Sequence, residues 1–324
     1  MKALVVDQPG PAAQVRIREI EDPRPGPAEV VVQVEWAAVN FADLTAARGL
    51  YPYASRPPLV PGVEVVGRVV PQSPDETPRR VCAFVGSGGW AERVSVHRDL
   101  VVPLPDDADP LAVAAGLTVV ATVQLCADQA RMESGEHVLV HGASGGIGSV
   151  AAQVLKGAGA GSVTGTLRNM DRAELARAHG YDHVVSATRF PVEVPGTVPG
   201  GAVDVVIDGV GGWTRAASFA LLRPFGRLVA IGNSSRGSEE PPTGAELRAA
   251  NTAVVGASLG ALSSRTPHLA TAYLERAVRD LACGSVSLPV DVLAADRLTD
   301  VLGLLEGRAA DGKLVLDLTQ GVEP

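Results

Sequence analysis

Cysteine, lysine and aromatic residues are all scarce in this chain of 324 residues. The three cysteines, Cys82, Cys126 and Cys283, are scattered and odd in number. That argues against a disulfide framework and fits a reducing, cytoplasmic compartment. Lysine is nearly absent while arginine is abundant, a bias we read as coding preference rather than chemistry. With a net charge of −8 and no lysine-rich run, the chain offers nucleic acid no basic field. No uninterrupted apolar stretch reaches the roughly 18 residues of a membrane span. The start, Met1-Lys-Ala-Leu-Val-Val6, lacks the apolar core and cleavage site of a secretory leader. The expected partner is therefore a small-molecule substrate, with neither nucleic acid nor membrane.

Glycine and proline are plentiful, but they punctuate apolar runs instead of forming low-complexity tracts. The length allows two domains, each with its own core. The densest signal is Val138-Leu-Val-His141 followed by Gly142-Ala-Ser-Gly-Gly-Ile-Gly148. An apolar run ends at a glycine-rich turn. Ile147, Val150, Ala151, Val154 and Leu155 then recur at helical spacing. This strand, turn and helix carry the dinucleotide fingerprint with Ala143 in place of its first glycine. Gly145 lets the backbone approach a pyrophosphate, Gly148 lets the helix pack on the strand, and the helix N-terminus faces the phosphates. An ordinary strand–turn–helix corner is the plainer alternative.

The next apolar run, Ser162-Val-Thr-Gly-Thr166, ends without the acid that holds a ribose 2′-hydroxyl in NAD sites. Arg168 and Arg172 follow, and an arginine fork suits a 2′-phosphate. The cofactor expected is NADPH. The plainer alternative is that both arginines are solvated residues opening a helix.

Residues 1 to about 110 hold short β-rich runs (Ala3–Val6, Val15–Ile20, Val30–Val34, Val63–Val70, Val81–Val85, Ala91–Val96) spaced as in a small, partly closed antiparallel barrel. From about 111 to 260 strands alternate with helices, the strands ending at His141, Thr166, Ala187, Asp208 and Gly232, with a sixth over Thr252–Leu259. Helices are expected over Asp171–His179 and Trp213–Leu222. This alternation predicts a parallel, doubly wound sheet. The tail resumes with Val286–Val292, a helix around Arg297–Leu305 and the strand Lys313–Leu318.

Several stretches, in this order, carry a resemblance over nearly the whole length. They include Val39-Asn-Phe-Ala-Asp43, Gly49-Leu-Tyr-Pro52, Val60-Pro-Gly-Val-Glu64, Gly88-Gly-Trp-Ala-Glu92, Asp204-Val-Val-Ile-Asp-Gly-Val-Gly-Gly212, Gly226-Arg-Leu-Val-Ala-Ile-Gly232 and Gly312-Lys-Leu-Val-Leu316. The chain resembles the zinc-free medium-chain dehydrogenases/reductases of the quinone oxidoreductase and enoyl reductase branch. The resemblance implies an α/β fold, a doubly wound parallel (Rossmann) sheet plus a smaller GroES-like, partly closed β-barrel domain. Residues 1–112 and 261–324 would form the catalytic GroES-like domain and 113–260 the NADPH-binding domain, with catalysis in the cleft between them and a homodimer as the assembly.

Zinc-dependent relatives place a cysteine near Asn40 and Gly-His-Glu where this chain has Gly62-Val63-Glu64. Tetrahedral zinc needs three or four Cys, His or carboxylate ligands, so no metal is expected. Carbonyl polarisation then falls to hydrogen bonds, which suits hydride transfer to a quinone or an α,β-unsaturated carbonyl. The resemblance places Asn40 beside nicotinamide and substrate, and Thr122 on the cofactor. Ser144, Gly145, Gly146 and Ile147 would cradle the pyrophosphate, with Thr166, Arg168 and Arg172 near the 2′ position. Val210, Gly232, Asn233 and Ser234 would face the nicotinamide side. Tyr51 is either a proton or hydrogen-bond donor to the substrate or an aromatic lid on the cofactor. Many relatives carry a tyrosine after the third nucleotide-domain strand, where Val185-Ser-Ala187 supplies none. The alternative to an enzyme is a nucleotide-binding protein without turnover, in a structural or regulatory role.

Overall fold

The computed structural model describes residues 1–50, 57–71, 73, 75, 77–238, 240–307 and 312–322. The chain divides into two compact units, Met1–Ala121 with Leu259–Pro324, and Thr122–Ser258. The first unit contains β1 (Lys2–Val6), β2 (Val15–Glu19), β3 (Glu29–Ala38), β4 (Glu64–Val69), β5 (Arg80–Phe84), β6 (Arg93–His97) and β7 (Val101–Pro103). The second contains β8 (His137–His141), β9 (Ser162–Leu167), β10 (His183–Ser186), β11 (Val203–Asp208), β12 (Leu222–Ala230) and β13 (Ala253–Gly256). The first unit resumes with β14 (Val290–Leu293) and β15 (Lys313–Asp317).

The second unit is a six-stranded, all-parallel sheet in the order β10-β9-β8-β11-β12-β13. Its strands run nearly apolar because helices cover both faces of such a sheet; all six residues of β11 are buried. Strand order reverses between β8 and β11, and in open α/β sheets ligands gather at the carboxyl ends beside such a reversal. One core cluster joins Leu139, Val203, Val206 and Leu228 of the central strands to Phe190 and Val194.

In the first unit, β3 is the organising strand. Along one edge its residues Glu29–Gln33 pair with β6 and Trp36–Ala38 pair with β15, while the other edge pairs with β4. A bulge at Glu35, between the Val34–Gly67 and Trp36–Val66 pairs, bends the strand enough to serve both neighbours. The bulge aims Glu35 at Arg68 and Arg80, whose Nε atoms donate to its two oxygens at 2.9 and 3.0 Å. The neighbouring turn is held by Trp90, fully buried with its indole N–H on the Ala38 carbonyl at 3.2 Å. A Cβ at Gly62, where φ is +99°, would lie 2.5 Å from that ring.

The structure redraws three predicted elements. The helix expected over Trp213–Leu222 spans Gly212–Phe219, because Leu222 already begins β12. The run Val286–Val292 is a strand only over Val290–Leu293; Pro289 has no N–H to donate and instead accepts from Lys313 N at 2.8 Å. The predicted helix Asp171–His179 is a 3₁₀ turn, Met170–Arg172, leading into Ala173–Ala178.

The helix Pro110–Gln129 has the length and mean hydropathy, 1.8, of a membrane span, but 78% of that window is buried inside the protein. It is apolar all round because protein surrounds it. The helix Pro267–Ala282 presents a buried stripe of Ala270, Leu274, Ala277, Val278 and Leu281. Leu281 fits over Gly116, where a Cβ would come within 2.5 Å of it.

Candidate functional site

In the nucleotide unit the chain leaves β8 at His141 and turns at Gly142, whose φ of +78° favours glycine. Thr166, at the end of β9, supports the turn from beneath. Its carbonyl accepts from Ala143 N at 3.0 Å and its hydroxyl oxygen from Gly142 N at 3.2 Å. The same hydroxyl bonds His141 Nδ1 at 3.1 Å, and His141 Nε2 bonds the Ser218 hydroxyl at 2.7 Å. Burial pushes the His141 pKa down to about 4 against the pull of Asp208, so the ring is a neutral structural bridge at pH 7. Gly148 begins the helix Gly148–Gly157, and a Cβ there would lie 2.2 Å from the Gly142 carbonyl oxygen. Only glycine lets this helix approach the strand.

Ser144, Gly145 and Gly146 are exposed at the crest of the turn. The N–H groups of Ser144, Gly146 and Ile147 have no acceptor among the described residues. They are donors left open at a helix N-terminus, where a pyrophosphate can be accepted. The residues present therefore fit a dinucleotide.

Beyond β9, Leu167 is buried and Arg168 is exposed with no ion pair among the described residues. The Asn169 side chain accepts from Asp171 N at 3.0 Å, shaping the 3₁₀ turn that carries Arg172. Thr166 is buried, so Arg168 is the first exposed group past this strand end, followed by the exposed Asn169, Met170 and Asp171 and the half-buried Arg172.

At the end of β11 the fully buried Asp208 organises the next loop. It accepts from Val210 N at 2.8 Å and Gly211 N at 3.1 Å, and pairs with Arg215 Nε at 2.7 Å. Arg215 also donates to the carbonyl of Gly232. Ser234 N and Ser235 N bond the carbonyls of Gly209 and Val210 at 3.0 and 2.9 Å. Val210, Gly232, Asn233 and Ser234, four of the expected cofactor residues, are thus sewn into one double loop. Asn233 abuts Gly211, where a Cβ would meet its Oδ1 at 2.5 Å.

In the first unit Asn40 caps the helix Phe41–Ala47 and belongs to a buried polar cluster. Asp43 Oδ2 accepts from Asn40 N at 2.7 Å, and its Oδ1 accepts from Gly62 N at 2.8 Å. Asn40 Nδ2 donates to Glu64 Oε1 at 2.7 Å, and Glu64 Oε2 accepts from Thr118 N at 2.6 Å. Lys313 Nζ donates to Asn40 Oδ1 and stands 3.6 Å from Glu64 Oε1. Burial pushes the Asp43 carboxyl up to about 7, opposed by its two backbone donors and Lys313. Burial likewise lowers the Lys313 ammonium, opposed by Glu64 and Asp43. Thr122 is buried on the helix Pro110–Gln129, and Tyr51 lies outside the described residues.

The donor set around Asn40 does not suit zinc. An amide stands at one ligand position and the apolar Val63 at another, and the Glu64 carboxylate already faces an ammonium. Among the described residues no three of His, Cys, Asp and Glu gather as metal ligands. Reading the sequence missed Asp43, Glu64 and Lys313 as parts of this cluster. The available signal was charge inside β-rich apolar runs, Glu64 ahead of Val65-Val66 and Lys313 ahead of Leu314-Val-Leu316.

Residues 26–106 match the model of the alcohol dehydrogenase GroES-like domain, and residues 146–275 match that of a zinc-binding dehydrogenase. The second match begins beyond Asn40, Val63 and Glu64. The quinone oxidoreductase of Thermus thermophilus, solved also in complex with NADPH, is 31% identical. That match covers 98% of this chain and 100% of that one, with a TM-score of 0.81. The quinone oxidoreductase of Pseudomonas syringae pv. Tomato is 27% identical over 98% of this chain and 99% of its own, with a TM-score of 0.86. A mycocerosic acid synthase-like polyketide synthase of Mycolicibacterium smegmatis is 30% identical over 97% of this chain, which spans 15% of that synthase's length.

Proposed function

The chain belongs to the medium-chain dehydrogenase/reductase family, in its zinc-free quinone oxidoreductase and enoyl reductase branch, and on that premise we propose that it is an NADPH-dependent reductase of quinones or α,β-unsaturated carbonyls. NADPH, when bound, supplies the hydride. The protein binds and orients. Ser144, Gly146 and Ile147 offer backbone donors to the pyrophosphate, and Arg168 and Arg172 offer guanidinium forks to the 2′-phosphate. The loop from Val210 and the loop from Gly232 to Ser234 present the edge that receives the nicotinamide. In quinones and conjugated carbonyls the charge developing on oxygen is delocalised, so a neutral amide donor such as Asn40 suffices to meet it.

One observation carries the reading. The donor-lined fingerprint turn lies beside a β9 whose last residues, Thr166 and Leu167, carry no carboxylate and are followed directly by the exposed Arg168. A carboxylate there would take ribose hydroxyls and repel a 2′-phosphate. The relative from Thermus thermophilus, solved with NADPH, supports the same choice.

The test is calorimetric titration of NADPH and NADH into the wild-type chain and Arg168→Ala. Loss of a charged hydrogen bond of about 1.5–3 kcal/mol predicts a ten- to hundred-fold weaker NADPH and an unchanged NADH. Equal losses for both would reject the 2′-phosphate role. A panel of quinones, enals, enones and enoyl thioesters, followed by NADPH absorbance, tests the reaction. Tight NADPH binding with no consumption across the panel would favour a non-catalytic role.

A further inference from the structure

Asn40, Asp43, Glu64 and Lys313 are all buried, and the lysine joins them from the far end of the sequence. The chain has only three lysines, yet one is buried. Buried ion pairs are weak stabilisers, and apolar replacements of similar volume often hold a fold equally well. Stability alone therefore gives little reason for Lys313 and Glu64.

The geometry offers another. The Asn40 carboxamide lies between an ammonium on its oxygen side and a carboxylate on its nitrogen side. Rotating the amide by half a turn would set oxygen against carboxylate and NH₂ against ammonium, unfavourable at both ends. One orientation is enforced. Glu64 is itself held by Thr118 N. Nδ2 has two hydrogens, and among the described residues only Glu64 receives one of them.

We propose that Lys313 and Glu64 are positioning residues that clamp the Asn40 carboxamide in a single orientation, leaving its second N–H as the donor offered to the oxygen of a carbonyl or quinone acceptor. The inference rests on the reading of this chain as a hydride-transferring enzyme. It assigns the clamp residues no proton transfer and no contact with substrate.

The chain has four asparagines, Asn40, Asn169, Asn233 and Asn251. Selective ¹⁵N-asparagine labelling therefore gives four side-chain NH₂ pairs, and substituting Asn169, Asn233 and Asn251 in turn assigns the fourth to Asn40. In the wild-type chain the Asn40 pair should show two well-separated proton shifts and slow exchange with solvent. The double variant Lys313→Met/Glu64→Gln removes both charges together and so spares folding. Its Asn40 pair should lose shift separation and exchange protection. With a quinone or enone, kcat should fall by roughly 10²-fold, the size of one lost oriented donor. KM and NADPH affinity should stay within about twofold, a split that a merely structural role would not produce.

An unchanged Asn40 signature or an unchanged kcat in the folded double variant overturns the proposal. Should that variant fail to fold, the wild-type chain alone carries the test. Two well-separated, slowly exchanging Asn40 protons are expected there, and a merged or rapidly exchanging pair overturns the clamp. A wild-type chain inert towards every quinone and enone sinks the functional reading instead, and the NMR signature still reports on the clamp by itself.

Discussion

The hydroxyl of Tyr181 donates a 2.8 Å hydrogen bond to the carbonyl of Gly148. It ties the residues ahead of β10 to the first turn of the fingerprint helix. The Tyr181 ring also fills the space over Gly165 of β9, where a Cβ would come within 2.8 Å of it and 2.7 Å of the Ala143 methyl. Although no tyrosine follows the third nucleotide-unit strand, one ahead of it packs from behind the turn. Tyr181→Phe should cost about 0.5–1.5 kcal/mol, the net worth of one hydrogen bond, because the Gly148 carbonyl keeps its place in the helix ladder. Urea unfolding of the two chains measures it. A midpoint unchanged within error would mean that the bond contributes nothing net.

Gly145 and Gly148 stand three residues apart and should fail differently. A Cβ at Gly148 would meet backbone at 2.2 Å, whereas one at Gly145 meets a single carbonyl oxygen at 3.3 Å. Gly148→Ala should therefore lower stability by roughly 1–3 kcal/mol through overpacking. Gly145→Ala should leave the unfolding midpoint nearly in place while weakening NADPH and NADH alike. Thermal unfolding combined with cofactor titration separates the two; matching profiles would show that the turn is placed incorrectly.

His141 sets a pH window. Its pKa is lowered from the usual 6.5 to about 4 in the folded chain, so the unfolded chain binds more protons between those values. The contribution of His141 should thus be fully present above pH 6.5 and fall as pH drops towards 4, at about 1.4 kcal/mol per pH unit. Asp43 acts with the opposite sign. Its raised pKa of about 7 contributes stability at low pH that is lost as pH rises. His141→Gln should remove only the His141 contribution, so that variant and wild type diverge below pH 6.5 and not above it. Urea midpoints collected from pH 7.5 to 4.5 test this, and parallel curves for variant and wild type would rule His141 out as the source.

Breaking the Glu64–Lys313 pair from one side should be far worse than removing both charges. Lys313→Met leaves a fully buried carboxylate facing a thioether, and the expected loss is about 3–5 kcal/mol. Adding Glu64→Gln should recover most of it. A double-mutant cycle by urea unfolding measures the coupling; simple additivity of the two single losses would contradict a coupled pair.

How far the sequence could be read follows from where each signal lies. The strands of the nucleotide unit were legible because each is a short apolar run closed by glycine or a polar residue, as at His141 and Asp208. The fingerprint was legible because its parts are contiguous. The helix Pro110–Gln129 was not, since a helix buried on every side has no amphipathic stripe. The helix Pro267–Ala282 has a stripe, but alanines at 270 and 277 dilute it. The barrel runs placed β1 to β6 within a few residues, yet β3 continues to Ala38 through a bulge that no local pattern announces. Asn40 could be picked out by resemblance. Its partner could not, because Lys313 lies 273 residues away and pairing at that range is a property of topology. The scarcity of lysine, read as coding preference, concealed the one that matters most.

The pairing of β3 with β15 fixes an order of assembly on the ribosome. The unit Thr122–Ser258 is continuous in sequence, and a nascent chain can complete it as soon as β13 emerges. The first unit cannot close so early. Residues Trp36–Ala38 present an open strand edge until Val315–Asp317 arrive to cover it. At roughly 5–20 residues per second, that edge waits on the order of tens of seconds. Of the two units, the one begun earlier is thus closed later.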